Sequence, residues 1–230
     1  YIDEELATGF SLPPLVADTK EEMKDVYATE KGITQAEVLE HDDLRFRSDR
    51  KEMRFVDALS DGLRQSMDKH SELILMGQDI AEYGGAFKVT EGFSAVYGKS
   101  RVRNTPLCES AIIGAALGLS LENFKSVVEM QFADFVTVGF NQIINNLAKI
   151  HYRWGQNADV VIRMPTGAGV GAGPFHSQSN EAWFVHTPGL KVVYPSTPFD
   201  AKGLMIAAIN DPNPIMYFEH KALYRGISGE

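Results

Sequence analysis

Short apolar runs separated by helical stretches are the feature that most constrains the fold of this chain. Five such runs predict strands, at Leu73–Gly77, Ser126–Met130, Val160–Arg163, Lys191–Tyr194 and Ile215–Phe218. Their apolar character is continuous and does not alternate with polar residues, which is typical of strands buried on both faces. The pattern therefore predicts an α/β fold in which a parallel sheet is flanked by helices on both faces.

The segments between the predicted strands have helical character. Apolar residues recur at helical spacing from Phe55 to Met67. Further helices are predicted at Ala111–Leu121, Val138–Tyr152, Glu181–His186 and Asp200–Ile209. Because ligands of parallel sheets bind at the carboxyl ends of the strands, the polar residues just after each strand are the functional candidates.

Residues 1–53 differ in composition from the rest of the chain. They hold 14 acidic and 7 basic residues, whereas residues 54–230 hold 17 and 15. The segment contains Pro13-Pro14, no strand-like run, and two candidates for short helices at Glu21–Tyr27 and Gln35–Glu40. We expect an acidic arm or linker that is either extended and partly helical or disordered.

The composition argues against several classes of protein. A net charge of −9 does not suit a protein that binds the phosphates of nucleic acid. The apolar stretches are far shorter than the roughly 20 residues that span a bilayer, so no membrane segment is predicted. One cysteine, Cys108, rules out a disulfide framework within the chain and a cysteine-cluster zinc site.

Glu109 is the first candidate for chemistry. It follows Pro106-Leu107-Cys108 and begins a helix that is otherwise apolar and small. A carboxylate in the first turn is favoured by the helix dipole alone, which is the simpler interpretation. The alanine and glycine content predicts a buried helix, however, and a buried carboxylate needs a partner such as a nitrogen of a ligand ring.

Two more candidates follow predicted strands. Residues 131–135, Gln-Phe-Ala-Asp-Phe, either flank a flat ring or simply fill the core. Residues 167–174 match the dinucleotide fingerprint loosely, but Pro174 and polar residues follow where that motif requires a helix. We therefore predict a flexible or tightly turning loop that brings the backbone near a ligand. His176, just past this loop, suits proton transfer near neutral pH, although a loop histidine taken alone is more often structural or without a role.

Taken in order, these segments resemble the beta subunits of thiamin diphosphate-dependent 2-oxo acid dehydrogenases, the decarboxylating first components of the pyruvate and branched-chain complexes. The matching motifs are Met76–Phe87, Thr105–Glu109, Glu129–Phe135, His176–Ser179, Pro188–Val193 and Glu219–Arg225. The resemblance runs from Arg54 to Arg225 and implies a transketolase-like pyrimidine-binding domain at 54–225. Residues 226–230 would then begin a linker to a further domain.

The resemblance implies a role for each candidate. The family's glutamate at the position of Glu109 hydrogen-bonds a ring nitrogen of the cofactor's aminopyrimidine. Phe135 matches an aromatic residue that lies against this ring, and Gln131 and Leu107 match its neighbours. His176 matches a histidine that faces the substrate and the incoming lipoyl group, where it transfers a proton during acyl transfer or orients the intermediate.

The resemblance also implies cofactors that this chain shares or lacks. In the family the alpha partner holds magnesium and the diphosphate through a G-D-G…N motif, which is absent from this sequence. Some relatives hold a structural potassium ion through backbone carbonyls, at positions that match Ala158, Val160, Ala208, Asp211 and Asn213.

The implied partners are an alpha subunit or domain, a second beta copy and the lipoyl acyltransferase core, so the chain is not expected to be active alone. Because the sequence opens at Tyr1, we expect a piece of a longer protein, in which residues 1–53 join a fused alpha part. The compartment implied is the cytoplasm in bacteria and the mitochondrial matrix in eukaryotes.

Two other interpretations stay open at this stage. Another thiamin enzyme such as transketolase uses the same fold, but sugar phosphates call for basic anchors, and residues 167–179 hold neither lysine nor arginine. A non-catalytic assembly module is the other, although the presence of both Glu109 and His176 argues against it. The sequence does not identify the 2-oxo acid.

Overall fold

Six parallel strands form the central sheet of the structure, a computed structural model that describes residues 1–29 and 51–229. The strands in chain order are β1 (Met53–Arg54), β2 (Leu73–Gly77), β3 (Val102–Asn104), β4 (Lys125–Glu129), β5 (Val160–Thr166), β6 (Lys191–Val193), β7 (Ile215–His220) and β8 (Ser228–Gly229). The sheet has the order β3-β2-β4-β5-β7-β6, and β1 pairs with β8 in a separate antiparallel ribbon. The predicted parallel sheet is confirmed.

Helices cover both faces of this sheet. The helices of the described residues are α1 (Ile2–Ser11), α2 (Thr19–Lys24), α3 (Phe55–Lys69), α4 (Phe93–Tyr97), α5 (Glu109–Leu121), α6 (Ile150–Trp154), α7 (Ala182–Val185), α8 (Pro198–Asn210) and α9 (Leu223–Gly226), of which α1 and α2 lie outside the two layers. Helix α8 begins where Thr197 accepts a hydrogen bond from the Asp200 amide and Pro198 takes the first helical position. None of the helices in the two described ranges is long and apolar enough to cross a membrane.

Successive strand residues point into two different cores. Leu73, Leu75 and Val127 belong to the core beneath α3 and α8. Their chain neighbours Ile74 and Val128 belong to the core on the opposite face, beneath α5 and residues 133–154. Burial on both faces explains why the strands are continuously apolar in sequence.

Some predicted elements differ from the observed ones. The helix predicted at Val138–Tyr152 is instead a series of irregular turns, formed by a 3₁₀ segment Ala133–Gly139, a π-turn Gln142–Asn146, a 3₁₀ turn Leu147–Lys149 and α6. Strand β3 was missed, and β1 begins within the segment that was predicted to contain no strand. Both are very short and form only by pairing with distant residues, so they leave no local pattern.

The N-terminal segment has helices and ends against the domain. The residues of α1 are exposed. Helix α2 overlaps the helix predicted at Glu21–Tyr27 but begins and ends earlier in the chain. Beyond α2, the Ala28 amide donates to Asn213 Oδ1 at 2.7 Å, and Asn213 Nδ2 donates to the Ala28 carbonyl at 3.1 Å. The Tyr27 hydroxyl also donates to the Leu190 carbonyl. The helix predicted at Gln35–Glu40 lies outside the described residues.

Candidate functional site

Glu109 begins α5, which follows strand β3, and only 9% of the residue is exposed. Its Oε1 accepts a hydrogen bond from Gln78 Nε2 at 3.3 Å, and Gln78 directly follows β2 and is 5% exposed. The other amide atom of Gln78, Oε1, is buried and has no hydrogen-bond partner among the described residues. The pair therefore presents a buried carboxylate and an amide at the carboxyl edge of the sheet.

Helix α5 itself is not buried all round, which corrects the prediction. Ile112, Ile113 and Ala116 are buried, but Ala111 and Ala115 are exposed. The prediction failed because alanine and glycine are equally compatible with a core face and with a surface face of a helix. The start of the helix is nevertheless tightly packed, since Glu109 is its buried first residue.

Two phenylalanines of the segment that follows strand β4 form a cluster of three rings with His176. His176 stands edge-on to Phe132, with centroids 4.7 Å apart, and edge-on to Phe135, with centroids 5.3 Å apart. Phe132 and Phe135 meet each other at 5.8 Å. Because all three side chains stay partly exposed, they line a surface and do not fill the core.

The carboxylate and the ring cluster belong to one region. The turn that carries Phe135, Ala133–Gly139, packs against the first turns of α5. A Cβ at Gly139 would lie 2.2 Å from Ile113 Cδ1 and 3.5 Å from the Glu109 carbonyl oxygen, so the two segments touch there. Gln131 precedes this turn and is partly buried, whereas Leu107 precedes α5 and is 80% exposed.

The glycine-rich loop is held at its base. The Gln178 carbonyl accepts from the Thr166 hydroxyl and from the Gly167 amide, both at 3.0 Å. The Gln178 amide donates to Asp134 Oδ1 at 3.2 Å, and Asn180 Nδ2 donates to the Ala133 carbonyl at 2.8 Å.

The tip of this loop is exposed and takes conformations that favour glycine. Gly169, Gly171 and Gly173 all have positive φ. A three-residue turn, Pro174–His176, follows the loop where a dinucleotide-binding motif would have a long helix. The structure therefore agrees with the rejection of that motif.

A buried ionic network next to the site has no counterpart in the sequence predictions. Arg163 on β5 donates to Glu219 on β7 through Nε at 2.8 Å and Nη2 at 2.5 Å, and its Nη1 donates to Glu129 at the end of β4. The Tyr224 hydroxyl donates to Glu219 at 2.5 Å. The signal that would have found this network was a charged residue at the end of, or directly after, each of three apolar strand runs.

Burial and charge compete within this network. Burial alone lowers the pKa of Arg163, but the attraction of Glu219 and Glu129 outweighs it, so the pKa is raised and the guanidinium stays charged. Burial raises the pKa of Glu129 against the attraction of Arg163. Burial also raises the pKa of Tyr224 and keeps its hydroxyl protonated as a donor.

The residues predicted to bind potassium lie in two adjacent segments. The Ala158 amide donates to the Pro212 carbonyl at 3.0 Å, which brings residues 158–160 beside residues 211–213. Within these segments the Ala158 carbonyl accepts from the Val160 amide, and Asn213 uses its side chain to hold Ala28. Among the described residues, no cluster of three or more histidine, cysteine or acidic side chains is arranged to hold a metal ion.

Comparisons with known proteins agree with the resemblance found in the sequence. The family model for the transketolase pyrimidine-binding domain matches residues 51–227. The beta subunit of 2-oxoisovalerate dehydrogenase from Bacillus subtilis is 45% identical over 180 residues, which cover 77% of this chain and 55% of that protein. The beta subunit of the pyruvate dehydrogenase E1 component from Acholeplasma laidlawii is 41% identical, over 74% of this chain and 53% of that protein.

A mitochondrial 2-oxoisovalerate dehydrogenase beta subunit from Dictyostelium discoideum is 44% identical over 77% of this chain. The chain spans about half the length of these relatives, since it covers 48% of the Dictyostelium protein. Among solved structures, an inactive beta4 tetramer of a split-gene transketolase superposes with a TM-score of 0.57 over 73% of this chain and 51% of that one. At 21% identity this likeness shows the fold alone.

Proposed function

Because the chain belongs to the transketolase pyrimidine-binding domain family, we propose that it supplies the pyrimidine-binding half of the active site of a thiamin diphosphate-dependent 2-oxo acid dehydrogenase. The relatives named as beta subunits of 2-oxoisovalerate and pyruvate dehydrogenases support this choice of reaction. The resulting activity is oxidative decarboxylation of a 2-oxo acid, followed by acyl transfer to a lipoyl group.

The observation that carries the proposal is the buried carboxylate of Glu109. A carboxylate that is 9% exposed and accepts one hydrogen bond from Gln78 retains unused acceptor capacity. The unpartnered Oε1 of Gln78 adds a second buried acceptor beside it. An aminopyrimidine offers donors and protonatable ring nitrogens, so the chemistry of this pair fits the ring.

The ring cluster supplies an apolar wall for the same ligand. Phe135 is partly exposed and free to lie against a flat ring, and Gln131 and the exposed Leu107 adjoin the same edge of the sheet. The bound thiamin diphosphate supplies the electron sink for decarboxylation. Glu109 would hold the pyrimidine through a ring nitrogen with which it can share a proton, and His176 would deliver a proton to the lipoyl sulfur during acyl transfer or orient the reacting groups.

The site needs a second protein. The sequence lacks a G-D-G…N motif, so we assign magnesium and the diphosphate to an alpha subunit or domain. Exposed apolar residues near the site, including Val138 at 60% and Phe175 at 73%, suit contacts with that partner and with a second beta copy. Docking to a lipoyl acyltransferase core completes the proposed assembly.

Two secondary proposals follow from the same family. The carbonyls of Ala158, Val160, Ala208, Asp211 and Asn213 are candidate ligands for potassium, supported by the closeness of residues 158–160 to residues 211–213. The compartment is the cytoplasm in a bacterium or the mitochondrial matrix in a eukaryote, in line with relatives of both origins.

Substitution of Glu109 tests the proposed function. In the assembly reconstituted with its alpha partner, Glu109→Ala is expected to abolish decarboxylation of branched-chain 2-oxo acids or pyruvate, because the pyrimidine loses its proton partner. The control is Glu122→Ala, which removes an exposed carboxylate just after the end of the same helix. Near wild-type turnover of Glu109→Ala would remove this residue from the mechanism.

Substitution of His176 separates the two half-reactions. His176→Ala is expected to reduce acylation of the lipoyl domain more than decarboxylation measured with an artificial electron acceptor. An equal loss in both assays would contradict the role in acyl transfer. Activity on sugar phosphates with none on 2-oxo acids would instead favour the transketolase alternative.

A further inference from the structure

Lys221 lies at the end of β7 with only 5% of its surface exposed, which is unusual for a lysine. Its backbone amide donates to the Thr166 carbonyl at 3.1 Å and so fixes it to the neighbouring strand β5. Its Nζ donates to the backbone carbonyl of His176 at 2.9 Å. Burial lowers the pKa of Lys221, and the nearby carboxylate of Asp134 opposes this effect.

We propose that Lys221 is a positioning residue that holds His176 in place for acyl transfer through the backbone carbonyl of that residue. The inference rests on the proposed function of the site and adds a residue to it. A buried ammonium is costly unless it is paired, so its hydrogen bond to the His176 carbonyl is worth more than a surface contact. Lys221 itself touches neither the substrate nor the cofactor in this role.

The surroundings of His176 explain why it needs such an anchor. Every second residue in the preceding segment 167–173 is a glycine, and glycine restricts the backbone conformation little. The anchors at Gln178 and Asn180 act only after His176. The hydrogen bond from Lys221 therefore fixes the backbone at His176, just after the glycine-rich tip.

Phe132 contacts both Lys221 and His176. The Lys221 ammonium lies 5.2 Å from the centroid of the Phe132 ring, and the His176 ring stands edge-on to the same phenyl group at 4.7 Å. One phenyl ring thus contacts both the anchor and the anchored imidazole. Movement of Lys221 would disturb the backbone and the ring contact of His176 together.

Acylation kinetics of the reconstituted assembly provide the first test. Lys221→Met keeps an unbranched apolar stem of four atoms but removes the ammonium. It is expected to lower kcat for acylation of the lipoyl domain by about 100-fold, the scale of a displacement near 1 Å in a catalytic group. Decarboxylation with an artificial acceptor should change much less. Lys202→Met, which removes a lysine paired with Asp61 on the surface, is the matched control and should leave both rates unchanged.

A double-variant cycle distinguishes positioning from general support of the fold. If Lys221 acts through His176, then adding Lys221→Met to His176→Asn should lower acylation no further than His176→Asn alone. Independent, multiplicative losses would overturn the proposal. Lys221→Arg keeps a charged donor and should lose less than Lys221→Met, whereas an equal loss in the two variants would also overturn it.

A spectroscopic measurement tests the positioning without the enzymatic assay. In the full chain labelled with ¹³C at histidine Cε1, His176→Asn identifies the resonance that belongs to His176. Because two phenyl rings stand edge-on to this imidazole, Lys221→Met should move that resonance toward the value of an exposed histidine, while Lys202→Met should not. An unmoved resonance in folded Lys221→Met protein contradicts the inference.

The two claims fail in different ways. A wild-type assembly that decarboxylates no 2-oxo acid refutes the proposed function, and the resonance shift then still decides whether Lys221 holds His176. An active wild type with an unaffected Lys221→Met variant refutes the positioning role alone.

Discussion

Arg163 lies between two carboxylates in the sheet interior, and removal of its charge leaves both of them buried without a cationic partner. We predict that Arg163→Met lowers the free energy of unfolding by about 3–5 kcal/mol, the usual result of breaking a buried ion pair from one side. Urea unfolding followed by circular dichroism measures the change.

Two further variants sharpen this prediction. Adding Glu129→Gln and Glu219→Gln to Arg163→Met should recover part of the loss, because the buried charge is then gone. Arg54→Met, which breaks the exposed pair with Asp57, should be indistinguishable from wild type. A loss in Arg54→Met as large as that in Arg163→Met would mean that burial is not the cause.

We predict that the free energy of unfolding falls in alkali because two tyrosines are buried. Burial raises the pKa of Tyr217, whose hydroxyl donates to the Ala201 carbonyl at 2.7 Å, and burial raises the pKa of Tyr224 as well. Above about pH 10 the unfolded chain releases these protons, whereas the folded chain retains them, so the free energy of unfolding falls as the pH rises.

The expected slope is about 1.4 kcal/mol per pH unit for each such tyrosine. Tyr217→Phe should make the fall between about pH 10 and about pH 11 shallower, when urea unfolding is measured at several pH values. Tyr83→Phe, at a position that is 60% exposed, is the control and should keep the wild-type slope. A slope unchanged by Tyr217→Phe would exclude this tyrosine as a source.

The sequence indicates single candidate residues more readily than the residues that contact them. Glu109, Phe135 and His176 could be proposed as candidates because each lies next to a strand or loop whose type the local pattern reveals. Lys221 is 45 residues from the carbonyl that it holds, and Glu219 is 56 residues from Arg163. Such pairs depend on the order of strands in the sheet, which periodicity does not encode.

At the scale of elements, regular helices and long strands were predictable, and irregular ones were not. Helix α3 has a simple apolar face and occurs where it was expected. Residues 133–154 combine helical turns of three different types, although their apolar residues recur at nearly helical spacing. Close packing of Gly139 against Ile113 accompanies this irregular path, and such a contact is invisible in a one-dimensional pattern.

Two glycines with opposite surroundings give a prediction for the elements that carry them. Gly189 has φ +91°, and a Cβ there would lie 1.9 Å from the Ala148 carbonyl oxygen. Gly189→Ala should therefore lower the free energy of unfolding by at least about 1–3 kcal/mol, the cost of the backbone conformation alone. The substitution would weaken the contact between the turn that precedes β6 and Ala148 in the irregular helical region.

Gly203 is the matched counterpart on α8. It is exposed, and nothing lies within 4 Å of a Cβ built there. Gly203→Ala should raise the free energy of unfolding by up to about 1 kcal/mol, because alanine favours a helix interior over glycine. Thermal and urea unfolding of both variants check the pair, and a destabilised Gly203→Ala protein would contradict the reasoning.

At the scale of the whole molecule, the N-terminal segment is joined to the domain through Asn213. Asn213→Ala removes the two hydrogen bonds to Ala28 and should release residues 19–28 from the surface. Trypsin cleavage at Lys20 and Lys24 should then accelerate about tenfold, the effect of about 1.4 kcal/mol on the docked population.

The fold of the domain should survive this change, so its thermal unfolding serves as the internal check. Asn145→Ala, which removes an exposed asparagine from the irregular helical region, is the control for cleavage. Equal cleavage rates in wild type and Asn213→Ala would show that other contacts, such as that of Tyr27 with Leu190, suffice to hold the segment.

The global architecture was predictable because burial on both faces leaves a strong signature in each long strand. The strand order was not, since β6 lies at the edge outside β7 although it precedes β7 in the chain. The same order brings β4, β5 and β7 side by side and so assembles Glu129, Arg163 and Glu219. The prediction that the functional site lies at the carboxyl ends of the strands follows from the fold class and needs no strand order.

The ribbon of β1 and β8 has a topological consequence. Met53 faces Gly229 and Arg54 faces Ser228, so the polypeptide enters and leaves the α/β unit at neighbouring points. A unit whose two connections are adjacent can be embedded in a longer polypeptide as a cassette, because the flanking parts need no long path around it. Neighbours attached to either connection would emerge on the same side, and gene fusion or splitting at these points would leave the sheet intact.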